Sequence, residues 1–383
     1  MTLLTRLLVV AALAVAAAGP AGAAPPVEKA KPIDLVLCLD VSNSMDGLIA
    51  SAKIRLWDIV NELAKVKPTP ELRVALYSYG HNSYPADKGW VRKDLDLTND
   101  LDEVYAKLNG LKTGGGTEYV ARVTQTAINE LKWADHAKGL KVIFVCGNEP
   151  ADQDKEVNLA DVAALARKKG VVVNTIYCGP ASSTETPGWR DFATGCNGAY
   201  ANIDQDKSAK EVAVATPFDK DMAELSGKLN TTYVGYGAQR GLRAENQAKQ
   251  DANAGAAAPA AAAERASSKA GALYKNSDWC LVDKLKEDPK FDVKTMKDED
   301  LPEEIKKLKP EERMPYLKKK LDEREALSKQ ITELAGKRAK FIAEERKKTP
   351  KSGEEKALDE ALKGIIRDQA KAKGFEVGAV EKK

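Results

Sequence analysis

The stretch from Lys31 to Met45, KPIDLVLCLDVSNSM, constrains the fold of this chain more than any other. An apolar run from Ile33 to Leu39 stops at Asp40-Val41-Ser42-Asn43-Ser44. An amphipathic pattern then begins at Leu48, Ile49, Ala52, Leu56, Ile59, Val60 and Leu63. That is the signature of a buried strand feeding a helix. In open α/β sheets such a turn lies at the carboxyl end of the strands, where ligands bind. Here it presents one carboxylate and two hydroxyls, an oxygen-only set suited to a hard cation.

The same alternation of strand and helix continues over residues 33 to 205. LRVALYSYG (Leu72 to Gly80) is β-rich, and WVRKDLDL after the loop His81 to Gly89 is expected to pair with it antiparallel at the sheet edge. Thr98-Asn99-Asp100 caps a helix containing Leu101, Val104, Tyr105 and Leu108. GLKVIFVCGNEP, VVVNTIYCGP (Val171 to Pro180) and AYANID (Ala199 to Asp204) supply three more strands, with Gly170 as a helix C-cap between the first two. The fold class expected is α/β, a doubly wound, mostly parallel six-stranded sheet, followed by an all-α C-terminal region. Three consecutive glycines, Gly114 to Gly116, mark a loop that bends sharply or approaches something closely, and Thr117 stands where the next helix begins.

Residues 1–23 read as a secretory signal: Arg6, an apolar core from Leu7 to Ala18, Gly19-Pro20, then Ala21-Gly22-Ala23 as a small-residue cleavage site. The apolar run is shorter than the roughly 18 residues of a spanning helix, so cleavage is expected, and a periplasmic or extracellular location with it. Residues 24–32 form a leader and 33–236 the α/β domain. Residues 237–272 are Ala-, Gln- and Asn-rich and read as a linker or frayed helix rather than core. Residues 273–383 are dense in Lys and Glu and helical, with Leu317, Leu321, Leu327, Ile331, Leu334, Phe341 and Ile342 close to a 3.5-residue spacing. A second stripe runs from Ala357 to Ile366 beyond the Thr349-Pro350 break. An intramolecular hairpin is the simpler expectation than a dimerising coiled coil, because Arg324 and Arg338 interrupt the seam. Tyr274 and Trp279 read as packing anchors.

With 60 basic and 57 acidic residues the net charge is only +3, which gives no general attraction to nucleic acid. None of the five cysteines (Cys38, Cys146, Cys178, Cys196, Cys280) forms a CxxC pair, which excludes zinc-ribbon and thioredoxin-like readings. Cys178 and Cys196 are the candidate disulfide pair. Enzyme motifs are absent: there is no HExxH or GxSxG, and GGGT is not followed by the lysine of a phosphate-binding loop. His81 and His136 are the only histidines, expected as a loop residue and a solvated helix cap.

Asp40, Ser42 and Ser44, at alternate positions of one tight turn, can point into one crevice. With Thr117 from a separate loop they offer one negative and three neutral oxygens, which suits Mg²⁺ or Mn²⁺. A divalent ion held by a single carboxylate keeps positive charge and an open position, so it recruits an acidic group from outside. Asp and Ser also cap helices, and the DxSxS pattern alone leaves the two readings open.

DVSNSM after an apolar strand, then Thr117 behind its glycines, then an apolar strand ending in GNEP, resembles the von Willebrand factor type A (VWA) domain with its metal-ion-dependent adhesion site. The resemblance covers roughly residues 33 to 230. It implies a doubly wound sheet and a Mg²⁺ ion, held by Asp40, Ser42, Ser44 and Thr117, whose open position accepts an Asp or Glu from a protein ligand. One departure stands out. The family usually ends its fourth strand in an aspartate that joins the metal shell, whereas this chain reads Cys146-Gly147-Asn148, with Asn148, Glu149 or Asp152 as stand-ins. The function expected is therefore an exported, non-catalytic binding module. The alternative is an envelope assembly protein whose VWA-like domain has lost its metal.

Overall fold

The computed structural model describes residues 30–135, 137, 139–203, 214–348 and 358–377. The expected signal segment, His136, Asp204 and the Thr349-Pro350 break lie outside them.

The α/β part forms β1 (Pro32–Asp40), α1 (Asp46–Leu63), β2 (Val66–Lys67), β3 (Glu71–Tyr79), β4 (Val91–Thr98), α2 (Leu101–Asn109), α3 (Val120–Glu130), β5 (Leu140–Gly147), α4 (Leu159–Lys169), β6 (Val172–Tyr177), α5 (Thr186–Gly195) and β7 (Tyr200–Asn202). The sheet has six strands in the order β4-β3-β1-β5-β6-β7. Only the β3–β4 pairing, at the edge, is antiparallel. β1 lies inside the sheet and every one of its residues is buried, as expected for a parallel strand covered on both faces. Ile33, Leu35, Leu37 and Leu39 join the core beneath α1 and α2 with Trp57 and Tyr105. Val36 and Cys38 face the opposite core with Val123, Val162 and Trp189. Asp34, a charge inside this apolar run, is fully buried and held by a two-pronged bond from Arg73, 2.8 Å at each nitrogen, and by the Ala134 N–H. Asp100 caps α2 by accepting from the N–H groups of Asp102 and Glu103.

The candidate pair Cys178 and Cys196 is not bridged, and all five cysteines are free and buried. Sheet geometry is the reason. Cys178 packs in the core on the α1 side and Cys196 in the core on the opposite face.

The helical part comprises α6 (Asp219–Asn230), α7 (Arg240–Ala257), α8 (Pro259–Ala270), α9 (Leu281–Glu287), α10 (Glu303–Lys306), α11 (Pro310–Lys348) and α12 (Leu358–Ala372), ending in β8 (Glu376–Val377). The Ala-rich stretch expected as a linker or frayed helix outside the core is instead the two regular helices α7 and α8, packed on α1, α2 and α6. Ala260, Ala261, Ala263 and Ala266 are buried, because methyl-sized side chains let neighbouring helix backbones approach closely. Arg265 is almost fully buried among them, 2.7 Å from Asp102 and 2.5 Å from Asp251, with its guanidinium 4.9 Å from the Trp57 ring. Tyr274 bonds the second oxygen of Asp102, and Trp279 stacks on Tyr233 at 5.7 Å, so both serve as the packing anchors expected.

The two apolar stripes pack mainly on other elements rather than on each other: α11 on α6, α8 and α9, and α12 on α1. The arginines that interrupt the α11 seam explain why. Arg324 is buried with Asp283 at 2.8 Å and lies 3.9 Å from the Tyr233 ring, and Arg338 is buried with Asp219 at 2.7 Å and with Glu264. They are ion-paired anchors toward this chain's own helices.

α12 is fastened to the α/β part by Arg367 on Glu62, by Gln369 on Asn174 and by the antiparallel β2–β8 pairing. Burial raises the Glu62 carboxyl, but Arg367 and Lys65 outweigh it and leave the group below its ordinary value. Its stabilising contribution is thus present at neutral pH and lost as pH falls through the lowered value. Arg367→Ala is expected to cost about 1.5–3 kcal/mol at pH 7. The gap to wild type should close on acidification, since protonation relieves the stranded carboxylate. Urea unfolding at neutral and acid pH checks this; a gap constant with pH would show the ion pair to be inert.

Candidate metal centre

Asp40 is the last residue of β1 and is fully buried. Its Oδ1 accepts the Ser42 N–H at 2.8 Å, while Oδ2 is buried with no hydrogen-bond partner. The hydroxyls of Ser42 and Ser44 lie 3.3 Å apart, and Asn148 donates to Ser44 Oγ at 3.0 Å. The residue at the N-cap of the helical turn Asn43–Met45, Ser42, makes no side-chain capping bond, and neither does Met45 at the N-cap of α1. The Ser42 hydroxyl is thus not spent on helix capping and faces that of Ser44 instead.

The glycine run is explained by close approach. Gly114 N–H donates to Val41 O at 2.9 Å, and a Cβ on Gly116 would stand 2.4 Å from Gly80 O. One on Gly115 would lie 3.1 Å from Asn43 Nδ2. The loop is thus pressed onto the turns after β1 and β3, and it brings Thr117, half-buried, to the Asp40 end of the sheet. The helix begins three residues later than Thr117, at Val120.

The next residue, Glu118, belongs to the same cluster. Gly80 has φ +82°, and the point its Cβ would occupy lies 3.0 Å from Asp40 Oδ1, 3.0 Å from Glu118 Cγ and 3.7 Å from Glu118 Oε1. Only a glycine leaves that space open. Glu118 went unnoticed in the sequence because nothing there shows which face of the Thr117 loop it takes; its position directly after Thr117 was the available signal.

Gly147, in the place of the family's aspartate, cannot carry a side chain here. A Cβ would stand 2.6 Å from the Tyr79 hydroxyl, 3.0 Å from the Trp189 ring and 3.2 Å from Asp40 Oδ2. Tyr79 fills the space and donates to Cys146 O at 2.8 Å. Of the three stand-ins, Asn148 bonds Ser44, Glu149 is exposed but close enough to act on Asp40, and Asp152 is exposed.

Burial pushes the Asp40 carboxyl up to about 7; the Ser42 bonds oppose the rise, and the charges of Glu118 and Glu149 add to it. Glu118 is pushed up to about 6 by burial and by Glu149. Carboxylates in this state lack a counter-charge. Among the described residues no three His, Cys, Asp or Glu side chains are gathered closely enough to hold a metal by themselves. A cation here would depend on hydroxyls as well, and the orphaned Asp40 oxygen, the facing serines and the uncompensated charge fit a small divalent ion. His81 accepts from the Ser83 hydroxyl at 2.8 Å and stacks on Tyr84 at 5.0 Å, a structural loop role.

Residues 34–208 match the family model described as von Willebrand factor type A domain. A search of curated proteins finds no match. Solved structures similar to this chain include proximal thread matrix protein 1 from the mussel byssus with a zinc-occupied MIDAS motif, at 16% identity and TM-score 0.37 over 48% of this chain and 45% of that one. Another is the SpRpn10 VWA domain, at 17% identity and TM-score 0.35 over 48% of this chain and all of that one. The match spans less than half the length of the mussel protein. With the family model matched across β1 to β7, and the six-stranded sheet formed by those strands, the chain carries a von Willebrand factor type A domain.

Proposed function

We propose that this domain is an exported, non-catalytic binding module that recognises an acidic side chain of a partner protein through Mg²⁺ or Mn²⁺ held by Asp40, Ser42, Ser44 and Thr117. VWA domains generally mediate protein–protein binding, and the residues at the top of this sheet give that role a chemistry. The observation that carries the reading is the buried Asp40 Oδ2 with no hydrogen-bond partner. An isolated ionised oxygen in that setting is costly unless a cation or a proton satisfies it. A bound ion would supply an open coordination position for the ligand's carboxylate. Asp40 would anchor it, the hydroxyls of Ser42, Ser44 and Thr117 would complete its near side, and Asn148 would orient Ser44. The loops at 81–89 and 147–157 border the position and would shape selectivity.

Titrating Mn²⁺ into the protein should give saturable binding that Asp40→Ala abolishes, and a partner captured from envelope extract in Mg²⁺ should be lost in EDTA. Equal behaviour of wild type and Asp40→Ala would sink the metal reading. A second reading, an assembly protein with a metal-free VWA domain, is favoured by one observation: Tyr79 occupies the space the family's second aspartate needs. The same titration separates the two.

A further inference from the structure

We propose that Glu118 supplies the second carboxylate of this cation site, in the role that position 147 cannot fill. The inference rests on the metal reading above and deepens it.

Three placements carry it. Position 147 is closed, as the Tyr79 hydroxyl and Trp189 leave no room for even one side-chain carbon. Asp40 reaches the site with Oδ1 accepting the Ser42 N–H and Oδ2 buried without a hydrogen-bond partner, so it points to a missing positive group. Glu118, half-buried, comes within 3.7 Å of the empty point above Gly80 that Asp40 Oδ1 approaches to 3.0 Å. Asp40 Oδ1 and the Glu118 side chain, its Cγ at 3.0 Å and its Oε1 at 3.7 Å, border a space kept open by the absence of a side chain at Gly80. Glu149 also acts on Asp40 but is exposed, with its loop fixed through the bond from Trp189 Nε1 to Glu149 O.

The consequence is a change in the charge balance read from the sequence. With Asp40 alone a divalent ion keeps a full positive charge. With Asp40 and Glu118 the protein neutralises it, and the acidic partner becomes the third anionic ligand rather than the second. The ion should then be retained between binding events, since hard divalent cations are held more tightly as ligand charge rises.

The test is Mn²⁺ binding to the full chain by calorimetry, with electron paramagnetic resonance of bound Mn²⁺ as a second readout. Glu118→Gln preserves volume and should weaken Mn²⁺ by about 10- to 100-fold, and Glu149→Gln by much less. The Glu118→Gln deficit should persist in high salt, where a diffuse field would be screened. Gly80→Ala, which pushes a methyl group against Asp40 Oδ1 and the Glu118 Cγ, should weaken binding likewise; circular dichroism confirms that each variant is folded. Equal losses for Glu118→Gln and Glu149→Gln, or a Glu118→Gln deficit that vanishes in salt, would overturn the proposal while leaving the Asp40 reading intact. Absence of Mn²⁺ binding in the wild type would overturn both.

Discussion

Replacing Arg265 with methionine is expected to cost about 3–5 kcal/mol of folding free energy, as removal of one partner from a buried ion pair does. The side chain is almost fully buried and bridges Asp102 of α2 to Asp251 of α7. Without it Asp102 keeps only the Tyr274 hydroxyl of these partners and Asp251 keeps Asn230 and Lys269, so both carboxylates lose their shared buried guanidinium. The loss is expected to be mostly electrostatic rather than a matter of volume, since methionine keeps the contact with Trp57. Adding Asp102→Asn and Asp251→Asn should therefore recover a large part of it. Urea unfolding followed by tryptophan fluorescence measures both effects. If the methionine variant alone is as stable as wild type, the Ala-rich helices do not dock through this cluster.

Restoring the family's aspartate should damage the domain rather than repair the metal site. In Gly147→Asp the added Cβ meets the Tyr79 hydroxyl at 2.6 Å, an overpacking worth about 1–3 kcal/mol. It also sets a second carboxylate beside the unpartnered oxygen of Asp40, a like-charge burial that costs several kcal/mol more. The expected result is a total loss of about 4 kcal/mol or more, with no gain in Mn²⁺ affinity. Tyr79→Phe in the same chain removes the clashing hydroxyl, so the double variant should be more stable than Gly147→Asp alone. A single variant as stable as wild type that binds Mn²⁺ more tightly would show that Tyr79 yields and that 147 remains open to a ligand.

These two sites mark where the sequence was and was not readable. The strand from Ile33 to Leu39, the antiparallel edge strand after Gly89 and the cap at Asp100 are local: alternation, turn residues and a side-chain oxygen two or three residues from its N–H decide them. The stretch 237–272 misled because alanine carries little hydrophobic signal of its own. Its burial depends on how closely α1 and α6 approach, which is a property of the partner surfaces. Arg324 and Arg338 looked like breaks in a dimer seam for a similar reason, as Asp283, Asp219 and Glu264 lie 41 to 119 positions away in the chain.

The order of residues alone determined the central strand, the DxSxS turn at its end and the glycine loop carrying Thr117, because each is written within a few neighbouring positions. Tertiary structure decided the rest. It set Tyr79 in the space beside Gly147, turned Glu118 toward Asp40 across Gly80, and folded the alanine helices onto the domain. Those outcomes depend on atoms brought within 4 Å from separate strands, helices and loops. At that range steric exclusion and uncompensated charge act between groups that sequence spacing does not relate.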